Sequence, residues 1–273
     1  MGRFDFKTRT GQISTILQPT FDADAQSFFI RVAAAGGTLN STEQVAINDL
    51  VLNMKTFGIW DSMKAIYPMV GASAAACSQN LKSSLFTGSF SSGWTFASTG
   101  VNGNGTSSFF NTNLNQFSNL LASNNHISIY SRTNTNPTAL TADCGITNNT
   151  SFSFSQLLLR NSGNASYENG SQVISVSTAN SLGLYCGTST SATSAKLYKN
   201  GSSIATSTTT QARALFNNNI YIGATNVSTT NLPLYFTSRQ YAFASIGDGL
   251  TDTQASDFYT AVQAFNTTLA RQV

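Results

Sequence analysis

The chain has 273 residues, only 9% of them Asp, Glu, Lys or Arg, and its 14 basic and 11 acidic side chains leave a net charge of +3. An average soluble domain carries roughly 25% charged residues, so this surface must be built largely from Ser, Thr, Asn and Gly. A charge so small and scattered argues against nucleic acid as a partner, and the sequence holds no apolar run approaching the ~20 residues that cross a bilayer as a helix.

Residues 1–20 are polar, basic around Arg3, Lys7 and Arg9, and without periodicity up to Pro19. They read as an extended arm. No apolar signal region follows Met1-Gly2-Arg3-Phe4-Asp5, and Cys77, Cys144 and Cys186 are odd in number with no metal or redox spacing. Free, buried thiols are expected, as in a protein made in a reducing bacterial cytoplasm.

Residues 21–79 carry helical signals. Asp22 and Asp24 offer N-caps, Phe28, Phe29 and Val32 share one face, and Gly36-Gly37 stop the helix. Ser41 and Gln44 make a capping box for a second helix, in which Ile47, Leu50, Val51 and Met54 recur at i, i+3, i+4 and i+7. Gly58 ends it, and Pro68 and Gly71 close the helical segment.

From about residue 80 to 247 the period of 3.6 disappears. Short β-rich runs occur at 94–97, 126–131, 152–159, 173–177, 182–186, 196–199, 220–223 and 235–245, divided by loops such as "NGNGTSS" and "RNSGNASYENGS". In "AKLYKNGSSIATS" the Asn200-Gly201 pair supplies two positive-φ positions, which predicts a tight hairpin. Many short strands at this spacing point to a two-sheet sandwich or a barrel. Residues 248–273 then form a helix capped by Thr251 and Gln254, with Ala255, Phe258, Tyr259, Val262, Phe265 and Leu269 in one stripe. The helices at the two ends are expected to pack together as a base from which the sandwich projects.

Three segments, "KLYKNGSSIATS", "NNIYIGATN" and "RQYAFASIGDGLTDTQASDFYTAVQAF", resemble the concanavalin A-like jelly roll in its laminin-G-like variety. More narrowly, "IWDSMKAIYPMVG", "NLKSSLFTGSFSSGWTFASTGVNGNGTSSFFNTNLN", "ISIYSRTNTN" and "FASIGDGLTDTQASDFYTAVQAFNTTLARQV" are similar to a family of phage-encoded virion proteins, from about residue 21 to the last residue. The resemblance implies a mainly β protein: a jelly-roll β-sandwich flanked by N-terminal helices and a C-terminal helix. It also implies a structural part of a phage particle, such as a tail or head fibre or a decoration protein. Its partners would be other virion proteins, reached through residues 1–79, further copies of itself, and glycans of the host surface. A free lectin-like module and a glycan depolymerase are the alternatives.

Catalysis has little to draw on. Glycoside hydrolysis needs two carboxylates, and between Ser62 and Gly247 only Asp143 and Glu168 are present, each beside a turn signal in "ADCG" and "YENGS". His126, the sole histidine, opens "HISIYSR" and reads as a polar strand end; no GxSxG nominates a nucleophile. One histidine and three dispersed cysteines make a poor metal set, "GVNGNGTSS" lacks the ending of a phosphate loop, and "GDG" at 247–249 reads as a turn. A calcium site near Asp143 would be weak for want of carboxylates. No catalytic residue, metal or cofactor is therefore expected. For glycan contact the candidates on or near loops are Arg132, Asn164 and Tyr167.

Overall fold

The computed structural model describes residues 21–148, 153–212 and 214–273. The arm expected over residues 1–20 lies outside them. Helix α1, Ala23–Ala34, starts where expected, with the Asp22 side chain accepting from the Asp24 amide at 2.9 Å. Helix α2, Ser41–Thr56, is capped one residue earlier than the sequence suggested. Asn40 and Glu43 form the box, each accepting the other's backbone N–H at 2.9 Å. The Glu43 carboxylate suits the positive end of a helix better than the neutral Gln44 of the expected box. Its second oxygen also accepts the Gly71 amide at 2.8 Å.

The next element departs from the helical reading of residues 21–79. After a 3₁₀ turn at Trp60–Ser62, residues Met63–Tyr67 form strand β1, which pairs with the last strand of the chain. Nearly every side chain of "MKAIY" is buried, so it shows no alternation to betray it. A short helix α3, Ala74–Cys77, follows. Then come β2 (Ser89–Phe90), β3 (Thr95–Ala97), β4 (Gly100–Asn102), β5 (Phe110–Asn115), the turn of helix α4 (Gln116–Asn119), β6 (Asn125–Ser131) and β7 (Cys144–Asn148). The hairpins β8 (Ser153–Asn161), β9 (Asn164–Asn169), β10 (Gln172–Ser177), β11 (Gly183–Ser191), β12 (Ser194–Lys199) and β13 (Ser202–Ser207) succeed them. Strands β14 (Asn219–Ile222), β15 (Thr225–Val227), β16 (Pro233–Leu234) and β17 (Gln240–Gly247) and helix α5 (Asp252–Thr268) complete the chain.

The strands make the two sheets of a jelly-roll sandwich. One runs β13-β12-β11-β6-β17-β4-β3, with β1 also on β17; the other runs β10-β9-β8-β7-β14-β5-β2, with β15 and β16 attached beside β7. Between them lie Ile127, Ile129, Tyr185, Leu197 and Ile246 from the first sheet and Ile146, Leu157, Tyr167 and Ile222 from the second. The predicted hairpin is present: Asn200 (φ 49°) and Gly201 (φ 76°) turn β12 into β13.

The helices of the two ends pack together as expected, α2 against α5, but not as a base below the sandwich. They plate the outer face of the first sheet, where Tyr130, Leu184, Cys186, Tyr198 and Phe243 meet Phe258, Val262 and Phe265 of α5 and Ile47, Leu50 and Val51 of α2. The reason is in the strands. Strand β17 sends Tyr241, Ala244 and Ile246 into the sandwich core and Ala242 and Phe243 to the other side, and a sheet apolar on both faces needs a third layer. Arg271 fastens that layer: its buried guanidinium donates to the carbonyls of Pro68 (2.6 Å), Met69 (2.9 Å) and Ala242 (2.7 Å) and to Asn266 Oδ1 (2.8 Å). Burial brings its pKa down to about 9.

Asp143 and Arg239 form an ion pair with both side chains fully buried. Arg239 Nη1 donates to Oδ1 and Oδ2 at 2.9 Å each. Oδ1 also accepts from the Tyr241 hydroxyl (2.8 Å) and Oδ2 from the Leu159 amide (2.8 Å). Removing one member leaves the other charge buried and unpaired, which costs about 3–5 kcal/mol. Urea unfolding of Asp143→Leu and Arg239→Met should each show a loss of that size, and the double variant Asp143→Leu/Arg239→Met should lose less than the sum.

Candidate functional site

The end of the sandwich where β6 stops and β17 starts carries a cleft of about 390 Å³. Thr135, Asn136, Pro137 and Thr141 of the β6–β7 loop form one wall, and Phe236, Thr237 and Ser238 before β17 form the other, with Gly105 at the edge. Among the described residues no charged side chain lines it. Its makeup is one aromatic ring among neutral hydrogen-bonding groups.

The buried ion pair reaches both walls, since Arg239 Nη2 donates to the Thr135 carbonyl at 3.2 Å and Nη1 to the Thr237 hydroxyl at 3.5 Å. The walls are joined directly by the Ala142 amide on the Tyr235 carbonyl at 2.9 Å. Outside the first wall, Asn161 Nδ2 donates to the carbonyls of Pro137 (3.1 Å) and Ala139 (2.6 Å), and the Gly163 amide to Asn136 Oδ1 (2.7 Å). At the cleft edge, Asn104 Oδ1 accepts the amides of Thr106, Ser107 and Ser108 at 2.9–3.0 Å. The cleft is thus held by a scaffold of hydrogen bonds. At the cleft, the buried Thr141 hydroxyl meets no hydrogen-bond partner among the described residues, and Tyr235, next to Phe236, holds a left-handed φ of 60°.

The three residues proposed from sequence do not come together. Tyr167 is corrected: its ring is fully buried between the sheets and its hydroxyl donates to Asn125 Oδ1 at 3.1 Å, so it offers nothing to a ligand. Burial pushes its phenol pKa up. The segment taken as a loop is the β8–β9 hairpin, turning at Ser162-Gly163, and the pleat sends Tyr167 inward. Asn164, the first residue of β9, is exposed. Arg132 is half-buried, its Nε on the Arg271 carbonyl (2.6 Å) and its Nη1 on Gln240 Oε1 (2.7 Å). Arg132 precedes the cleft loop and Asn164 follows the turn that pins it.

The polar residues weighed for chemistry also take other places. Asp143 sits at the bend before β7, and its two carboxylate oxygens accept from Arg239, Tyr241 and the Leu159 amide. Glu168 lies within β9, where it accepts from Gln156 Nε2 at 3.2 Å and burial raises its pKa. Cys77, Cys144 and Cys186 are buried free thiols, and burial lifts the pKa of Cys77 and Cys186 to about 12. Among the described residues, no three His, Cys, Asp or Glu side chains gather as a metal site. Sequence reasoning missed Thr141, Phe236 and Thr237. It read residues 235–245 as one strand, whereas β17 begins at Gln240 and the aromatic run before it is loop.

No model of a known protein family matches the chain, and no curated protein sequence does. Solved structures do. A mutant of HCR/D matches with a TM-score of 0.50 at 14% identity over 74% of this chain and 52% of that one. Domain 4 of AbnA, a GH43 extracellular arabinanase from Geobacillus stearothermophilus in complex with arabinotriose, matches with a TM-score of 0.49 at 16% identity, over 72% of this chain and 98% of that one. A structure described as a receptor binding domain matches with a TM-score of 0.49 at 15% identity, over 76% of this chain and 52% of that one. At such identity the likeness to the HCR/D mutant concerns the fold alone.

His126 is the polar second residue of β6, at the strand's start, and it is fully buried in the sheet–helix layer. Nδ1 lies 2.6 Å from the Asp248 carbonyl and so carries the proton, leaving Nε2 to accept from the Ser245 hydroxyl at 3.0 Å. Burial lowers its pKa to about 4, from 6.5. The unfolded chain therefore binds the extra proton first, and stability present above pH 6.5 is lost as pH falls towards 4. The loss from this group amounts to about 3 kcal/mol at most. Melts of the protein and of His126→Gln across that window should show a smaller acid-induced decline in the variant.

Proposed function

We propose that this chain is a saccharide-binding jelly-roll module and a non-catalytic structural component of a bacteriophage particle, as a tail fibre, head fibre or decoration protein. The observation that supports the first half is the cleft: Phe236 set among Thr135, Asn136, Thr141, Thr237 and Ser238, with no charged lining residue among the described ones. A sugar ring offers an apolar face and a girdle of hydroxyls. An aromatic side chain takes the face and neutral donors and acceptors take the girdle. The scaffold lowers the cost of binding, because the walls are ordered before the ligand arrives.

The second half is supported by the resemblance of residues from about 21 onward to phage virion proteins. In this reading residues 1–79 contact other virion proteins and further copies of the chain, while the cleft end faces the host's glycans. Nothing in the reading requires turnover. The carboxylate best placed for chemistry at that end, Asp143, is committed to Arg239.

Two measurements test it. On a glycan array the protein should retain a defined set of oligosaccharides, and calorimetry with the best of them should show Phe236→Ala weakening binding about tenfold. Melting of that variant should stay close to that of the parent, because Phe236 is only half-buried. Antibody labelling of purified phage particles should decorate a fibre, the tail or the capsid. Abundant free protein with unlabelled particles would remove the virion reading and leave the lectin.

A further inference from the structure

We infer that the cationic rim beside the cleft selects saccharides that carry a carboxylate. The inference rests on the saccharide reading above and names the class of sugar. Among the described residues Arg132, Arg160 and Lys199 pair with no carboxylate. All three lie at the cleft end and are half-buried.

They converge on one junction. Asn134 Oδ1 accepts from Arg160 Nη1 and from the Ser181 amide, both at 3.3 Å. Lys199 Nζ donates to the Asn180 carbonyl (3.1 Å) and to Asn180 Oδ1 (2.8 Å). Arg132 precedes Thr133, whose carbonyl accepts the Ser181 hydroxyl at 2.8 Å. Asn134 in turn precedes Thr135 and Asn136 in the cleft wall. The charges therefore border the cleft without lining it.

Every acceptor held by these cations is a neutral amide, carbonyl or hydroxyl oxygen. Arg160 also keeps a buried Nε with no acceptor. The sandwich carboxylates cannot neutralise the junction: Asp143 is spent on Arg239, and Glu168 sits at the far end of β9. An incoming carboxylate would meet partly desolvated, unpaired guanidinium and ammonium groups, where charge-assisted hydrogen bonds are strongest. A sugar held against Phe236 and Asn136 would present such a group over Asn134. The neutral cleft would supply affinity for the ring, and the rim would supply the preference for its charge.

The test uses the full chain on an array of matched pairs: uronic-acid oligosaccharides and the same oligosaccharides with each carboxyl reduced to the alcohol. The protein should favour acidic members by about tenfold at low salt, and the preference should shrink as salt screens the rim. Arg160→Gln/Lys199→Gln should reduce the preference to about threefold or less while leaving affinity for reduced members unchanged. Arg132 is kept because it holds the Arg271 carbonyl. Phe236→Ala should weaken both members alike. Equal binding of both members by the parent, or a preference that survives the double variant, would overturn the inference and leave the saccharide reading standing. Binding of neither member would remove that reading and the inference with it.

Discussion

The Asp143–Arg239 pair is the constraint on which this structure turns. Taking two charges out of water costs more than their attraction returns unless the remaining donors and acceptors are also met. Here Tyr241 and the Leu159 amide complete the carboxylate and the carbonyls of Thr135 and Arg160 receive Arg239 Nη2, while among the described residues the buried Arg239 Nε meets no acceptor. These partners come from β8, β17 and the loop before β7, so the pair ties one sheet to the other. A one-residue slip of β17 would turn Tyr241 away and leave the carboxylate short of a donor. The pair thus sets register as well as the cleft walls. In a chain with 9% charged residues, spending two of them in the interior is a substantial commitment.

The opposite face of the first sheet uses a different solution. Helices α2 and α5 cover it with aliphatic and aromatic side chains, and Arg271 closes the edge by donating only to neutral oxygens. A guanidinium can do this because its planar set of donors fits several carbonyls at once. The effect is a three-layer molecule in which the middle sheet is buried on both sides.

Much of this was legible in the residues. The Asn200-Gly201 hairpin, the Thr251 and Gln254 capping box and the β-sandwich follow from turn chemistry and periodicity, and the structure has them. What sequence reasoning lost was lost for identifiable reasons. β1 and β7 are too uniformly buried to alternate. β9 was hidden in a Ser- and Asn-rich segment whose neighbouring glycines suggested loop. Tyr167 shows that an aromatic beside turn residues still obeys the pleat. The cleft was not legible at all, because Thr135, Thr141 and Phe236 belong to loops that only the fold brings face to face.

The pairing of β1 with β17 sets a timetable for synthesis. Lys64 and Asp248, which bridge these strands, are 184 residues apart in the chain. At the ~5–20 residues added per second in translation, the N-terminal helices wait roughly ten to forty seconds for the sheet that covers them. During that interval Ile47, Leu50 and Val51 of α2 have no α5 to pack against. The nascent chain therefore passes through a stage with a bare apolar helix face, and variants that slow completion should be felt first as aggregation or chaperone dependence, before any change in the finished protein.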